Sequence, residues 1–329
     1  MAKKLLKRKK KNEEQLPSRI TNDTVAQHRE KILAGGRKHK YPLQYTKYKV
    51  VWNTVILSIV AVIVAVAFVW IQLYVRKDTG DVTYRITQIL PLPVASVDGS
   101  SVSYKRYLLY HRSTMAVTEN QEAAADKLEF QRQQAMDRAI EDTYAEKIAK
   151  ERDITVTDEQ VNALIDKQQQ DSKISKNSYE AVVEENLHWS MDELRRAVKA
   201  TLLRQAVSFS VDQQASDTVK TIESEIQSKK TLEQIAKVHG KSVQYVSGVT
   251  VPKDNSDGGL SQAAAKLKPG VISGAIKTLA GDGYYFIVLQ KSDSQSLTYD
   301  YIKVPLTVFS KQFEALKSDD KIHYYIDIK

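Results

Sequence analysis

Histidines, carboxylates and glycine-rich loops are the features of this chain that could support metal or catalytic chemistry. No two of its six histidines have metal-ligand spacing on one element. They are His28, His39, His111, His188, His239 and His323. The segment DNSDG (254–258) has the acidic start of a calcium loop but lacks the bidentate Glu needed near the twelfth position. Neither the phosphate-binding pattern G-x-x-x-x-G-K-S/T nor the G-x-S-x-G pattern of serine nucleophiles occurs. We therefore expect no catalytic residue, no metal site and no cofactor.

The composition excludes further kinds of site and partner. Cysteine is absent from all 329 residues, which excludes disulfides, thiolate zinc sites, iron–sulfur clusters and a cysteine nucleophile. Residues 1–49 contain 15 Lys and Arg against 4 Asp and Glu, whereas the whole chain has a formal net charge of +9. The first 40 residues contain no aromatic residue, which argues against base stacking and nucleic-acid binding. We expect residues 1–49 to be a largely disordered basic tail attracted to anionic lipid.

An uncharged apolar stretch follows the tail. Residues 50–75 (VVWNTVILSIVAVIVAVAFVWIQLYV) contain no Asp, Glu, Lys or Arg. About 20 such residues suffice to cross the hydrocarbon core of a bilayer. Trp52 near one end, with Trp70 and Tyr74 near the other, suits the aromatic belts at the two interfaces. The stretch is longer than the apolar region of a cleaved signal peptide, so we expect an uncleaved anchor. The basic excess before it predicts a cytoplasmic N-terminus and an outer location for residues 76–329.

Patterns of helix and strand fill the rest of the sequence. Ser or Thr followed three residues later by Glu or Gln predicts helix starts at Thr157, Ser190 and Thr231. Apolar spacing predicts further helices from Ser103 and over 120–151, 178–187 and 308–316. Alternating or continuous apolar runs predict strands over 94–97, 243–251, 284–290, 299–304 and 322–328. Helices are therefore expected to dominate before residue 214, and strands after residue 240.

This order of elements resembles the SurA/PrsA family of extracytoplasmic foldases, in its membrane-anchored branch. Three segments carry the resemblance as an ordered set: 94–107 (VASVDGSSVSYKRY), 139–165 (AIEDTYAEKIAKERDITVTDEQVNALI) and 178–207 (SYEAVVEENLHWSMDELRRAVKATLLRQAV). In that family a parvulin-type prolyl isomerase domain is inserted before a C-terminal segment that returns to the helical domain. Residues 231–293 look like a reduced form of that domain. The similar segments are TLEQIAKVHGKS (231–242), DGGLSQ (257–262), LKPGVISGAIKT (267–278) and GDGYYFIVLQKSD (281–293).

The lobe departs from the parvulin pattern at the positions of the active site. The resemblance implies two His and an Asp or Cys around the prolyl peptide bond. Residues 206–214, which should supply the first His, contain none, and Tyr284 and Tyr285 stand where the second is expected. The segment HGKSVQ (239–244) has neither Asp nor Cys, and His239 at a helix end suits interaction with the helix dipole. These departures favour an inactive lobe, although isomerisation needs only a pocket that stabilises the twisted amide.

We therefore predict a mainly α protein with a small α+β lobe. Its expected parts are a basic tail, a single transmembrane helix, a linker, a SurA N-like helical chaperone domain, an inserted reduced parvulin-like lobe and a returning C-terminal segment. Their predicted bounds are 1–49, 50–75, 76–93, 94–214, 215–296 and 297–329.

The resemblance implies a single-pass plasma-membrane protein of a bacterial envelope. Its expected function is to bind unfolded or newly exported polypeptides as a chaperone, in the cleft between the helical domain and the lobe. An active prolyl isomerase and a non-catalytic envelope scaffold remain as alternatives. The expected partners are polypeptides, the membrane and anionic lipid but not nucleic acid, and no oligomeric state is predicted. The expected contacts to a bound segment are Tyr107, Tyr110, Trp189, Tyr284, Tyr285 and Phe286.

Overall fold

A computed structural model describes most of the chain: residues 20–40, 42–116, 125–255, 257–278 and 280–328. The chain divides into an N-terminal unit, residues 1–70, and a larger unit, residues 71–329. The fold is mainly helical with small antiparallel sheets, as the sequence predicted. Residues 1–19, predicted as part of a disordered tail, lie outside the described residues.

The helices and strands of the described residues follow each other in the predicted order, with some additions. The helices are α1 (Asn22–Lys40), α2 (Pro42–Trp70), α3 (Asp81–Ile89), α4 (Tyr104–Ala116), α5 (Ala125–Glu151), α6 (Asp158–Asp171), α7 (Lys176–Leu187), α8 (Met191–Val211), α9 (Gln213–Gln227), α10 (Leu232–His239), α11 (Leu260–Ala264) and α12 (Val308–Ser318). The strands are β1 (Pro93–Val97), β2 (Ser100–Ser103), β3 (Gln244–Pro252), β4 (Ile276–Lys277), β5 (Gly283–Ser292), β6 (Ser296–Pro305) and β7 (Ile322–Tyr324).

The predicted apolar helix is present. It comprises most of α2 and the π-helical turn Ile71–Val75. Tyr48–Val75 is the one helix among the described residues that is long and apolar enough to cross a membrane. Within α2 its side chains are exposed, as at Leu57, which is 70% exposed. Residues 22–40 form α1, which corrects the prediction of a largely disordered tail for that segment.

The last turn of the apolar helix belongs to the folded larger unit. Leu73 is fully buried. The Tyr104 hydroxyl, also fully buried, donates a 2.8 Å hydrogen bond to the Leu73 carbonyl oxygen. The Tyr74 hydroxyl donates a 2.6 Å hydrogen bond to the Pro93 carbonyl oxygen. The end of the apolar helix is therefore fixed to β1 and α4 by packing and by two hydrogen bonds.

Helix α3 lies within residues 76–93, which were predicted to be a linker. Its buried residues are Thr83, Tyr84 and Thr87, while Val82 and Ile89 are exposed. The Thr87 hydroxyl donates to the Tyr84 carbonyl oxygen at 2.7 Å, and the Tyr84 hydroxyl donates to a carboxylate oxygen of Glu193 on α8. Because this helix buries polar groups by hydrogen bonding, it lacks the apolar pattern that predicts a buried helix face.

Helix α5 is the centre of the helical body, α3–α8. Met136 and Ile140 on α5 are fully buried, as the predicted i+4 stripe requires. Asp142 on the same helix is also buried, and it accepts hydrogen bonds from the Tyr110 hydroxyl of α4 and the Arg204 guanidinium of α8. A buried carboxylate is tolerated only when paired in this way, so this contact fixes the relative positions of three helices.

The C-terminal strand returns to the first strand of the helical body. β7 pairs antiparallel with β1, and β1 pairs with β2, so the sheet order is β2-β1-β7. The strand is shorter than the predicted 322–328. Helix α12 precedes it and packs Phe309 onto Tyr144 of α5, with ring centroids 5.7 Å apart.

The lobe is a four-stranded antiparallel sheet of order β3-β6-β5-β4. Strand β5 is buried on both faces: Tyr284 and Phe286 pack with α9 and α10, while Tyr285 and Ile287 pack with α11. This explains its continuous apolar sequence, since both faces of the pleat are covered. Strand β6 pairs with β3 and β5 inside the lobe. The predicted boundary at 297 is therefore corrected, because the returning segment begins only after Pro305.

We expect Leu73→Ala to lower the free energy of unfolding of the larger unit by about 2–5 kcal/mol, the usual range for a buried Leu. Leu57→Ala in the same apolar helix should leave it unchanged, because the Leu57 side chain is 70% exposed. The measurement is urea unfolding of the full chain in detergent micelles, followed by Trp189 fluorescence after Trp52 and Trp70 are replaced by Phe. Equal effects of the two substitutions would contradict the burial of Leu73.

Candidate functional site

A groove of about 690 Å³ lies between the helical body and the lobe. Three elements supply its walls: the start of α6 with the residues before it, the C-terminal half of α8, and the lobe beside β4. The lining residues are Thr155, Val156, Gln160, Ala163, Leu164, Leu202, Gln205, Ala206, Phe209, Ser210, Lys277 and Thr278.

The helical wall is set by capping and by the amphipathic pattern of α6. The Thr157 backbone N–H donates to Gln160 Oε1 at 2.9 Å, and the Gln160 N–H donates to Thr157 Oγ1 at 3.3 Å. This reciprocal capping box was predicted from the sequence and fixes the start of the helix. Val161 and Ile165 of α6 are buried. Leu164, which is half-buried, is left to line the groove.

Two aromatic rings and one cation meet where α8 borders the lobe. Phe209 at the end of α8 meets Tyr284 of β5 edge to face, with ring centroids 4.8 Å apart. The Lys277 ammonium lies 4.9 Å from the Phe209 centroid and 5.6 Å from the Tyr284 centroid. An ammonium over an aromatic face is stabilised by about 0.5–1 kcal/mol at an exposed site. The contact holds α8 and the β4 edge together at the floor of the groove.

The groove lining is nearly neutral. Among its described residues Lys277 carries the one charge, and the remaining polar groups are amides and hydroxyls. No His, Asp or Glu lines it, so the described residues supply no acid–base pair there. An apolar surface with scattered amides and hydroxyls favours binding of an extended polypeptide over group-transfer chemistry.

Asp212 lies where the chain passes from the helical body into the lobe, and it also contacts the point where the chain returns. Its side chain is buried, and Oδ1 accepts a hydrogen bond from the Ala215 N–H at 3.0 Å, which caps α9. Oδ2 accepts from the N–H groups of Thr307 and Val308, at 2.8 and 3.2 Å, where α12 begins. One carboxylate therefore caps two helices, one at each crossing of the chain.

Gly281 permits close contact between the lobe and α8. Its φ of +66° lies in the left-handed region that favours glycine. A Cβ at this position would lie 2.4 Å from Cγ of Gln205, one of the groove residues. A larger residue would therefore push the β4–β5 turn away from α8 and widen the groove.

The β4–β5 turn next to Gly281 is held by Asp282. Its carboxylate accepts hydrogen bonds from Lys303 Nζ at 2.6 Å, the Thr278 hydroxyl at 3.0 Å and the Tyr285 hydroxyl at 3.0 Å. Burial raises the pKa of Asp282, but these hydrogen bonds outweigh it and lower the pKa below its ordinary value. The turn therefore stays charged and fixed at neutral pH, with Thr278 held at the groove.

Three of the six predicted binding residues are buried in the helical body. Tyr107 packs against Tyr104 and His111, and burial raises its pKa to about 12. The Tyr110 hydroxyl donates to Asp142, and the Trp189 indole donates to the Leu109 carbonyl oxygen at 2.8 Å. Tyr110 and Trp189 also meet edge to face. In this conformation these side chains stabilise the body, and their contact with a bound segment stays a prediction.

The other three predicted residues are buried in the lobe. Phe286 is fully buried, and Tyr284 and Tyr285 are each 7% exposed. Tyr284 approaches the groove through its contacts with Phe209 and Lys277, although its binding role stays a prediction. The structure thus does not bring the six aromatic residues into one site. Sequence analysis did not identify Phe209 and Lys277, because an aromatic ring and a cation on separate elements produce no recognisable spacing in the sequence.

His239 has a structural partner. Its Nε2 lies 2.9 Å from Glu225 Oε2 on α9, and Lys230 Nζ lies 2.8 Å from the other carboxylate oxygen. Burial by itself would raise the pKa of Glu225. The hydrogen bonds from Lys230 and His239 outweigh this effect, so the pKa of Glu225 lies below its ordinary value. His239 therefore joins α10 to α9.

We expect Asp212→Ala to lower the free energy of unfolding by about 2–4 kcal/mol, because it removes two helix caps and leaves the N–H of the buried Ala215 without its partner. Hydrogen exchange should quicken at the Ala215, Thr307 and Val308 amides. Asp217→Asn, an exposed change on the same helix, is the control and should alter stability by at most a few tenths of a kcal/mol. Unchanged exchange at Thr307 in the Ala variant would contradict the double cap.

One comparison with known proteins gave a match. Residues 46–208 match the family model described as SurA-like N-terminal domain. The matched region starts before the apolar helix and ends close to Asp212, so it covers the helical body up to the lobe. No curated protein and no solved structure matches the chain. Residues 46–208 are therefore similar to a SurA-like N-terminal domain, and this similarity suggests a chaperone-type extracytoplasmic family.

Proposed function

We propose that this protein is a membrane-anchored extracytoplasmic chaperone that binds unfolded or newly exported polypeptides in the groove between the helical body and the lobe. The observation that carries the proposal is the groove itself, with its half-buried apolar lining and one charged residue. Reversible binding of apolar segments requires no covalent chemistry. The SurA-like domain that forms one wall supports the same function.

The lining suits clients of varied sequence. Val156, Leu164, Leu202 and Phe209 offer apolar contact that depends little on the exact side chain bound. The amide and hydroxyl groups of the lining can pair with the backbone of an extended segment, so that its polar groups need not be buried unpaired. Such a surface binds many unfolded chains weakly, as a chaperone requires.

The lobe is proposed to be a reduced parvulin-like domain that binds without catalysis. Residues 206–211, where the resemblance expects a strand carrying a His, form the end of α8. Tyr284 and Tyr285 stand at the other expected His position and are buried in the two cores of the lobe. Prolyl isomerisation by an unusual pocket remains the alternative, followed by a non-catalytic envelope scaffold.

The membrane anchor is proposed from the apolar helix. Leu73 is buried in the larger unit and Tyr74 is hydrogen-bonded to Pro93, which leaves residues 50–70 for the hydrocarbon core. At 1.5 Å per residue these span roughly 31 Å, close to the thickness of about 30 Å that a bilayer requires. The basic excess of residues 1–49 supports a cytoplasmic N-terminus.

We expect a cysteine at position 271, but not one at position 20, to react with a membrane-impermeant maleimide on intact cells. Both changes, Val271→Cys and Ile20→Cys, replace an exposed aliphatic residue in a chain without native cysteine. Ile20→Cys should be labelled only after lysis. The reverse pattern would overturn the proposed orientation, and labelling of both on intact cells would overturn the anchor.

We expect Val156→Glu to weaken suppression of client aggregation about tenfold, because a carboxylate in the apolar groove must be desolvated when a client binds. The matched control is Val238→Glu on α10, where Val238 is 65% exposed and outside the groove lining. The measurement is light scattering of a chemically unfolded protein in the presence of the full chain in lipid nanodiscs.

Equal losses in the two variants would exclude the groove as the binding site. Proton exchange spectroscopy of an Xaa-Pro peptide with the same sample tests the isomerase alternative. Acceleration would establish catalysis, and Tyr284 and Tyr285 would then be the first residues to replace. A single dominant co-purifying protein, with no effect on aggregation, would favour the scaffold.

A further inference from the structure

A second, smaller pocket of about 300 Å³ lies within the helical body, between the start of α4, α5 and α8. It shares no lining residue with the groove. Four basic side chains line it, against one carboxylate, that of Glu146. The basic residues are Lys105, Arg106, Arg196 and Lys199.

Two of the four cations are neutralised by neighbours. Arg106 forms an ion pair with Glu146. It also donates a 2.7 Å hydrogen bond to the Thr143 hydroxyl. Lys199 Nζ lies 2.7 Å from Asp158 Oδ1, in an exposed ion pair. Their charges are therefore largely satisfied within the protein.

The other two cations lack a close partner. The Lys105 side chain makes no hydrogen bond or ion pair with any residue in the described part of the chain, although it is only partly exposed. Arg196 reaches a carboxylate only at 4.0 Å, that of Glu193, which the Tyr84 hydroxyl and the Ser190 N–H already bind. Burial, and then the charge of Arg196, lowers the pKa of Lys105. A net positive charge thus remains in this pocket.

The floor of the pocket is apolar. It is formed by Leu109 and the ring of Tyr110, both buried, and by Ala200 and Leu203 of α8. A ligand that fits must therefore present an anionic group next to an apolar one. A lipid phosphate satisfies the cations but places a polar glycerol group on the apolar floor. A terminal carboxylate beside an apolar side chain satisfies both surfaces.

We propose that this pocket binds the C-terminal residue of a polypeptide, with its carboxylate between Lys105 and Arg196 and its apolar side chain on the floor. The site deepens the proposed function and rests on it, since it gives the chaperone a second contact that recognises a chain end. A free carboxylate marks the end of every polypeptide, so the contact is independent of the internal sequence of the client.

The test uses two peptides that differ only in terminal charge: acetyl-Ala-Ala-Ala-Phe with a free carboxylate, and the same peptide as its C-terminal amide. Calorimetric titration is carried out on the full chain in nanodiscs of zwitterionic phosphatidylcholine. We expect the carboxylate form to bind at least tenfold more tightly than the amide, because each cation–carboxylate hydrogen bond is stronger than a neutral one.

The double variant Lys105→Gln with Arg196→Gln should bind both peptides equally. The control, Lys150→Gln with Arg195→Gln, removes the same charge from exposed positions outside the pocket and should keep the tenfold preference. Circular dichroism establishes that both variants are folded.

Three outcomes overturn the inference. Equal affinity of the wild type for both peptides would do so while leaving the groove and the proposed function intact, since an internal segment can still bind there. A preference that persists in the pocket variant would place the carboxylate elsewhere. Loss of the preference when anionic phosphatidylglycerol is included would assign the pocket to a lipid headgroup. Failure of the proposed function itself would appear separately, as the absence of any suppression of client aggregation by the wild-type chain.

Discussion

The carboxylate of Asp212 is the interaction on which the arrangement of body and lobe depends. The chain crosses from body to lobe at α9 and returns at α12, and this one side chain caps both helices from a buried position. A negative charge at two helix N-termini is favoured by both dipoles as well as by the hydrogen bonds. Thr307 at the start of α12 makes no side-chain cap of its own, so α12 relies on Asp212. Because Asp212 caps a helix at each of the two crossings, the lobe has a defined orientation despite its separate cores.

The groove is a consequence of that orientation. Gly281 brings the β4–β5 turn against Gln205, and the contact between Phe209, Tyr284 and Lys277 closes the floor. The walls come from elements far apart in sequence, and each buries its most apolar face in its own core. What remains for the groove is a half-buried, nearly neutral surface. Because the groove takes no buried apolar residue from either core, the proposed binding of an unfolded segment there would not compete with folding of the protein itself.

The two parts of the apolar helix have different roles. Large apolar side chains of its first part, such as Leu57, are exposed, whereas its last turn is bound to the helical body through Leu73, Tyr74 and Tyr104. Helix α3 then continues the body by burying Thr83, Tyr84 and Thr87. The segment after the apolar helix is therefore part of the folded domain, which is consistent with a family match that runs without interruption from residue 46 to residue 208.

Features that depend on local chemistry could be predicted from the sequence alone. The capping boxes at Thr157, Ser190 and Thr231 form as predicted, because each is closed by residues three apart. The apolar helix and the buried strand β5 follow from uninterrupted apolar runs. The order of these elements also sufficed for the resemblance to SurA.

Features that depend on contacts between separate elements are visible only in the folded protein. Helix α3 was missed because its buried residues are polar and are satisfied by Asp78 and Glu193. The predicted aromatic residues are buried in the helical body and in the two cores of the lobe, because large apolar side chains are buried most strongly. The groove instead uses Val156, Phe209 and Lys277, which no spacing connects. A site of this kind forms only when the contacts of Asp212 and Gly281 hold the lobe against α8. It could not be predicted, because neither contact has a signature in the local sequence.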